Sequence, residues 1–277
     1  DLSVNVTIFS RWVTHSLYCT VYCTFFNFCF CRPSLDILPN LCCVRFPLLL
    51  SQHVVKMSNA EMANLFAEWN KTELDSYLIE ITSIILGKKD DKGEDGEVVD
   101  YILDKTGMKG TGRWTVQEAA EQSVAAPTIA SSLDARYMSA RKDERVAAEK
   151  ILQGPGDNKI TVDNNQIVGD LKAALYCSKV ASYAQGLSII KAASDKNGWN
   201  VDLGLCARMW RGGCIIRAKL LKGIAEAVEK DANLANLMVD PGFAADLNSR
   251  QMSWRRVVTL AVANGIAIPS TSGSLAY

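Results

Sequence analysis

The chain has 277 residues, with 30 basic and 30 acidic side chains and a formal net charge of zero at pH 7. A general nucleic-acid or membrane-surface binder carries a basic excess, so this balance argues against both classes. Apolar residues make up 48% of the chain, which is typical of a globular protein with room for one large domain or two small ones.

Residues 1–57 differ in composition from the rest. About six Asp, Glu, Lys and Arg side chains precede Met57, whereas the remainder is charge-rich. The apolar and aromatic run at residues 17–31 is shorter than the ~20 residues that a membrane-spanning helix needs. We therefore interpret residues 1–57 as a disordered or non-family segment arising from a gene-prediction or splicing error, with a membrane anchor as the alternative.

Cysteine usage divides the chain at the same place. Cys177, Cys206 and Cys214 are scattered among charged residues, which predicts reduced thiols of an intracellular protein. The others crowd the first segment without the two-residue spacing of a zinc site, and they are Cys19, Cys23, Cys29, Cys31, Cys42 and Cys43.

Helical signals begin at Ser58, where Ser58 and Glu61 form a capping box ahead of an apolar face at helical spacing. A second apolar face predicts a helix within Leu74–Leu86, and the charged stretch Lys88–Glu97 predicts a solvated loop. A further capping box, Thr115–Glu118, predicts the start of an alanine-rich helical region that extends to about Leu152. Pro127 marks a start or a kink within that region.

The stretch Ile167–Ala193 is rich in small residues and apolar on more than one face, which predicts a long, centrally buried helix. After Met57 no alternating strand pattern of useful length is present, so we predict an all-α body. Further helices are predicted at Leu203–Met209, Cys214–Lys230, Ala244–Asn248 and Arg250–Asn264.

Several kinds of chemistry are excluded by residue type. No histidine follows His53, so Ser-His-Asp and Cys-His nucleophile arrangements and histidine-containing metal sites are not expected in the body. No GxGxxG motif follows a strand, so we expect no dinucleotide-binding (Rossmann) fold in this chain.

The stretch Gly107–Trp114, GMKGTGRW, is the best candidate for a binding site. Its three glycines let backbone N–H groups approach a ligand, and Lys109, Thr111 and Arg113 add charge and a hydroxyl. With a helix predicted to start at Thr115, the loop suits a carboxylate or a phosphate. A plain glycine turn before a capped helix explains the same residues equally well.

Other charged stretches have simpler interpretations. Arg136 alone is best explained as a surface arginine that pairs with Asp134 or Glu144. The run Lys142–Arg145 is interpreted as a solvated, internally paired face, and Met209–Arg217 as a glycine-containing packing segment or helix break.

Six stretches in order resemble the C-terminal domain of the 6-phosphogluconate dehydrogenase family, in its plant-like branch, from about Ser58 to Tyr277. The resemblance implies an all-α multi-helix domain in an NADP-dependent oxidoreductase of the pentose phosphate pathway, which converts 6-phosphogluconate to ribulose 5-phosphate by oxidative decarboxylation. By matching the family's motif, it implies that Lys109, Thr111 and Arg136 bind the substrate phosphate. The six stretches are Phe66–Thr82, Ile102–Thr115, Ser132–Arg145, Ala174–Gly186, Ala207–Ala218 and Ser253–Pro269.

The chain also departs from the family pattern. The nucleotide-binding domain is missing, and Val55-Lys56-Met57 matches only the opening of the family's catalytic block before the sequence jumps to Ser58. Lys56 is either the surviving catalytic lysine beside a deletion or a chance match, and we favour survival. The chain stops before the family's C-terminal tail, which lends an arginine and a histidine to the partner's phosphate site.

The resulting hypothesis has two domains, residues 1–57 and 58–277, in a family enzyme that is inactive on its own. Its alternative is a non-catalytic helical dimerisation module. The expected partners are 6-phosphogluconate and a second copy of the chain, with no nucleic acid, metal or membrane. The expected compartment is the cytoplasm, with a plastid as the alternative.

Overall fold

A computed structural model describes residues 47–90, 95–105, 110–155, 163–212, 214 and 216–277. Regular structure in these ranges is helical, and the β-type pairings among them are two isolated bridges, Ser76 with Ala218 and Lys89 with Glu97. The predicted all-α fold class is therefore confirmed. The α-helices are α1 (Asn59–Trp69), α2 (Tyr77–Leu86), α3 (Thr111–Glu121), α4 (Pro127–Ala140), α5 (Lys142–Glu149), α6 (Asn164–Asn197), α7 (Leu203–Met209), α8 (Leu220–Lys230), α9 (Pro241–Ala263) and α10 (Pro269–Ala276).

The long helix α6 lies at the centre, as its sequence predicts. Twenty of its 34 residues are buried, on all sides of the helix. Asp163 caps its first turn by accepting a hydrogen bond from the Asn165 N–H at 2.9 Å, and Gly198 ends it with a left-handed φ of 66° that favours glycine. Helices α4, α9 and α10 pack around it.

Two polar clusters join α6 to α9. Arg256 donates two hydrogen bonds to the buried Asp170 carboxylate, at 2.7 and 2.6 Å. Burial raises the pKa of a carboxyl group, but the bonds from Arg256 outweigh burial and hold the pKa of Asp170 below its usual value. The pair therefore stabilises the fold at neutral pH, and its contribution is lost as the pH falls through that lowered pKa. Six residues further along α6, the Tyr176 hydroxyl donates to Asp246 at 2.6 Å.

A third cluster joins α6 to α4 and α10. The Gln185 amide of α6 accepts a hydrogen bond from the Thr128 N–H at 3.0 Å and donates one to the Thr128 hydroxyl at 2.8 Å. The same hydroxyl lies 2.8 Å from that of Ser274 in α10, and Ser132 and Ser270 repeat this pairing one turn further along. Because all five side chains are buried, these bonds satisfy groups that water cannot reach.

Helix starts follow the capping rules in most places. The predicted capping box at Ser58 and Glu61 is present, with the Ser58 N–H donating to the Glu61 carboxylate at 2.7 Å. Pro127 occupies the first turn of α4, where its missing N–H removes no helical bond. Asp240 accepts from the N–H groups of Gly242 and Phe243 at 2.9 and 3.1 Å, which fixes the start of α9.

Three expectations about boundaries are wrong. Thr115–Glu118 is not a capping box, because α3 already begins at Thr111 and Thr115 is fully buried within it. The segments predicted as two helices at 244–248 and 250–264 are one helix, α9, which the Asp240 cap starts earlier. The helix predicted from Cys214 begins only at Leu220.

Residues 47–57, predicted to lie outside the family fold, include side chains that pack with the body. Residues 47–50 are helical and continue into a π-helical turn, Ser51–Val55, and Leu48 and Leu50 are buried in the main core. Residues 1–46, which contain the apolar run and six cysteines, lie outside the described residues. The remaining cysteines Cys177, Cys206 and Cys214 are free thiols, and burial raises the pKa of Cys177 to about 12.

No helix within the described ranges is long and apolar enough to cross a membrane. In the same ranges, no group of three or more His, Cys, Asp and Glu side chains is placed to hold a metal ion.

The buried amide of Gln185 gives the first testable prediction. Replacing Gln185 with Ala leaves the Thr128 N–H without its acceptor, so the free energy of unfolding should fall by about 2 to 3 kcal/mol. Urea denaturation followed by circular dichroism measures the loss. Ser188→Ala on the same helix is the control, since that hydroxyl bonds only to the Ala184 carbonyl of its own helix. Equal losses in both variants would contradict the assigned role of Gln185.

Candidate functional site

The best-defined candidate site lies where α3 begins. Gly110 is the residue before the helix, with a φ of 84°, a left-handed conformation that glycine adopts readily. The Trp114 N–H already bonds to the Gly110 carbonyl at 3.1 Å. The N–H groups of the first turn, from Gly110 to Arg113, precede this first helical bond and have no helical acceptor. The positive end of the helix therefore lies inside the glycine-rich stretch, not after it as the sequence suggested.

The structure describes only part of the predicted phosphate-binding site. Lys109 lies outside the described residues. Thr111 is the first residue of α3, which places its backbone N–H in the first turn. Trp114 is 49% exposed, and its ring lies beside Gly110.

Arg136 is buried, with 6% of its surface exposed, and it makes polar or electrostatic contacts within the chain. The interpretation of Arg136 as a surface residue is therefore wrong. Arginine is almost never fully buried unless paired, and these contacts accompany the burial of Arg136 on α4.

The packing of α3 against α4 indicates where Arg136 lies relative to the start of α3. The two helices are joined by the short connection at residues 122–126, and Val116 of α3 packs against Leu133 of α4. Short connections make antiparallel neighbours, so moving from Val116 back to Thr111 corresponds to moving forward from Leu133. Arg136 is about 5 Å beyond Leu133 along α4, at 1.5 Å per residue. We therefore expect its guanidinium to lie beside the first turn of α3.

A second charged group holds the chain where it enters the loop. The Asp104 carboxylate is buried and forms ion pairs with Lys142 and, at 3.7 Å, with Arg145 of α5. The Arg145 guanidinium also donates to the Asp104 carbonyl at 3.0 Å and to the Ser139 carbonyl, at the end of α4, at 3.2 Å. One arginine thus joins the entrance of the loop to the helix that carries Arg136.

The interpretation of Lys142–Arg145 as a solvated, internally paired face is wrong for both cations. An exposed local pair does form, 3.4 Å long, between Glu144 and Arg141, the residue just before this stretch. Asp104 is 38 and 41 residues from its two partners, so no local spacing could indicate the contact.

Lys56 lies apart from these helices in sequence, at the end of the π-helical turn Ser51–Val55. Its side chain is exposed, and its φ of 66° is unusual for a residue with a side chain. Its backbone N–H donates to the Ser51 carbonyl, which closes the turn.

Comparisons with known proteins agree with the sequence resemblance. The family described as 6-phosphogluconate dehydrogenase, C-terminal domain, matches residues 47–277. The chain is 56% identical over 224 residues to 6-phosphogluconate dehydrogenase, decarboxylating 1, of Oryza sativa subsp. japonica, covering 81% of this chain and 46% of that protein. It is 53% identical over 232 residues to a chloroplastic form of Arabidopsis thaliana, covering 82% of this chain and 47% of the relative.

A solved structure also matches. The 6-phosphogluconate dehydrogenase of Plasmodium falciparum, solved in its apo form and in complex with NADP+ and with 6-phosphogluconate, has a TM-score of 0.82 at 37% identity. The match covers 96% of this chain and 54% of that one. The chain thus spans about half the length of the relatives that it matches.

The Asp104 cluster gives the second prediction. Replacing Arg145 with Ala removes the bridge between residue 104 and α4, so the free energy of unfolding should fall by about 1 to 3 kcal/mol, as for a buried group that loses a charged partner. Hydrogen exchange at residues 103–105 should speed up. Arg141→Ala is the matched control, because it breaks only an exposed pair and should change stability by less than about 0.5 kcal/mol. Unchanged exchange at residues 103–105 in Arg145→Ala would show that the bridge does not hold the loop entrance.

Proposed function

The chain belongs to the 6-phosphogluconate dehydrogenase family, and we propose that residues 47–277 form the helical domain that binds the phosphate of 6-phosphogluconate. The observation that carries the proposal is the burial of Arg136 on α4, a helix that packs against α3. A guanidinium and the N–H groups of a helix start both suit a phosphate, because each supplies directed donors and positive charge.

Three side chains bind the phosphate in this proposal, each with a different role. Arg136 makes paired charge-assisted bonds to phosphate oxygens, Lys109 adds a second cation, and Thr111 adds a hydroxyl donor. Support for Lys109 comes from its position one residue before Gly110, whose left-handed backbone turns the chain into the helix. The ion pairs of Asp104 support the loop from its other side.

The proposed reaction is the one named for the relatives, a decarboxylating dehydrogenation of 6-phosphogluconate with NADP. The residues of this chain do not fit the NADP cofactor by themselves, because no GxGxxG motif follows a strand in the sequence. We therefore derive no chemical step through the nicotinamide. A polypeptide of these 277 residues should bind substrate without producing NADPH.

We propose Lys56 as the catalytic lysine of the family, in an altered setting. The matched family region includes Val55-Lys56-Met57, and the lysine follows a π-helical turn, a feature often found at functional sites. The left-handed backbone of Lys56 is a second such feature. Residues 1–46 stay outside the proposed domain, which we extend from Ser58 back to residue 47 because Leu48 and Leu50 pack in its core.

The names of the plant relatives bear on the proposed cellular compartment. The plant proteins include chloroplastic forms and forms named without a compartment. We propose the cytoplasm, with a plastid as the alternative.

Phosphate binding is the third prediction. In NMR titrations of the folded chain at low salt, 6-phosphogluconate should bind with a dissociation constant near 1 mM, or about 4 kcal/mol. Lys109→Ala should weaken binding by about tenfold, as expected for the loss of one charge-assisted bond. Arg136→Lys should also weaken it, because an ammonium cannot replace a planar fork of donors.

Matched controls for this titration are exposed cations far along the chain. Lys196→Ala and Arg255→Lys should leave binding unchanged, since both side chains lie on the surface of other helices. Lys142 and Arg145 are unsuitable controls, because they hold Asp104. The proposed site would be contradicted if the chemical-shift changes avoid Thr111 and Arg136. It would also be contradicted if the affinity for 6-phosphogluconate is unchanged in Lys109→Ala.

Self-association is the fourth prediction. The same exposed apolar surface supports the alternative function, a non-catalytic dimerisation module. Large apolar side chains are exposed on several helices, among them Met209 of α7, Met252 of α9 and Val262 of α9. Water-exposed apolar surface of this kind favours a symmetric dimer. Light scattering at micromolar concentration should give twice the mass of one chain. A dimer that fails to bind 6-phosphogluconate would favour the alternative, and a clean monomer would contradict both the dimer and the alternative.

A further inference from the structure

An open hollow of about 290 Å³ lies away from α3 and α4, between the turn that joins α1 to α2 and the segment that enters α8. Two backbone bonds fix its walls. The Lys219 N–H donates to the Asp75 carbonyl at 2.9 Å, and the Tyr77 N–H donates to the Arg217 carbonyl at 3.1 Å. The hollow is lined by Asp75, Arg211, Arg217, Ala218, Lys219 and Lys222.

The lining carries four cations and one carboxylate, and the cations differ in how they are paired. Arg217 bonds to Glu80 at 2.7 Å and lies over the ring of Tyr77 at 5.0 Å. Lys222 lies 3.7 Å from Glu226 in a pair that is largely exposed. Within the described part of the chain, the side chains of Arg211 and Lys219 have neither a hydrogen bond nor an ion pair.

The start of α8 adds to the positive potential of the hollow. Lys219 is the residue that precedes the helix, Lys222 lies in its first turn, and this turn has no acidic residue. The first turn of a helix is its positive end, where anions stabilise and cations destabilise the structure. Among the described residues Arg211 and Lys219 have no ion-pair partner, so an anion in the hollow would offset the repulsion among these cations.

We propose that this hollow binds a small phosphorylated compound, with Arg211 and Lys219 as the main contacts. A phosphate offers three oxygens to a guanidinium fork and an ammonium beside the positive end of α8, which a single carboxylate matches less well. The volume is near the lower end of ligand pockets, which suits a phosphate with a small attached group. The Asp75 carboxylate in the lining accepts a hydrogen bond from a hydroxyl of such a compound.

The hollow differs from the candidate site at α3 in every residue. It is formed by the α1–α2 turn and the α7–α8 segment, whereas the candidate site uses α3, α4 and the loop before α3. The proposal therefore does not depend on phosphate binding at Arg136. It also assigns a role to the segment Met209–Arg217, which its sequence alone suggested to be a packing segment.

The test is a titration of the full chain with pyrophosphate at constant ionic strength, followed by NMR. Saturable shifts are expected at the backbone amides of Arg211, Lys219 and Leu220. Arg211→Gln and Lys219→Gln should each weaken this binding by about tenfold, the usual effect of losing one charge-assisted hydrogen bond. Lys219→Arg keeps the charge and should retain binding.

Three controls make the result decisive. Arg255→Gln, which removes an exposed cation from α9, should leave the shifts unchanged. Repeating the titration with Lys109→Ala separates the hollow from the loop site, since binding in the hollow should persist. Circular dichroism checks that each variant is folded.

Two outcomes would overturn the proposal. One is a wild-type titration in which the shifts avoid Arg211, Lys219 and Leu220, or an affinity for pyrophosphate that is the same in the wild type and in the two glutamine variants. The other is tighter binding of a poly-glutamate peptide than of pyrophosphate, which would indicate an acidic protein segment as the occupant.

Discussion

The arrangement of the molecule depends on satisfying the polar groups of the buried central helix α6. Its apolar residues supply much of the core, but an apolar surface on all sides does not fix how neighbouring helices are rotated or shifted. The buried Gln185, Asp170 and Tyr176 side chains do fix it, because each must meet a partner in a defined place. A buried polar group left without a partner is destabilising by about 1 to 3 kcal/mol, so alternative registers are disfavoured.

This constraint extends to the candidate site through α4. Gln185 holds the first turn of α4 at Thr128, and Ser274 and Ser270 of α10 hold the same face. Arg136 lies two turns further along this helix, and Arg145 secures the helix end at Ser139. A helix fixed at both ends keeps a buried guanidinium in one position, which a phosphate site requires if its bonds are to be paired.

The sequence predicted the fold class and the central helix because both depend on patterns that are local or long and periodic. It failed at Thr115 because a capping box is only a four-residue pattern, whereas Gly110, which has the left-handed backbone, starts the helix. It also failed for Lys142 and Arg145, whose partner Asp104 is distant in the sequence. For Arg136, spacing alone gave a surface residue, and only the resemblance to a family indicated binding. The burial of Arg136 is a property of the packed helices, which spacing does not show.

The net charge of the chain limits how an anionic ligand can be attracted. The chain has no net charge, so no long-range field draws an anionic ligand to it as a whole. Attraction must come from short-range arrangements in which cations and helix starts face the same space. Before the start of α3, the Asp104 carboxylate is paired with cations of α5. At the α8 start, Glu80 and Glu226 pair with Arg217 and Lys222, which leaves Arg211 and Lys219 to face the hollow. Both sites proposed for this domain therefore combine a helix start with cations.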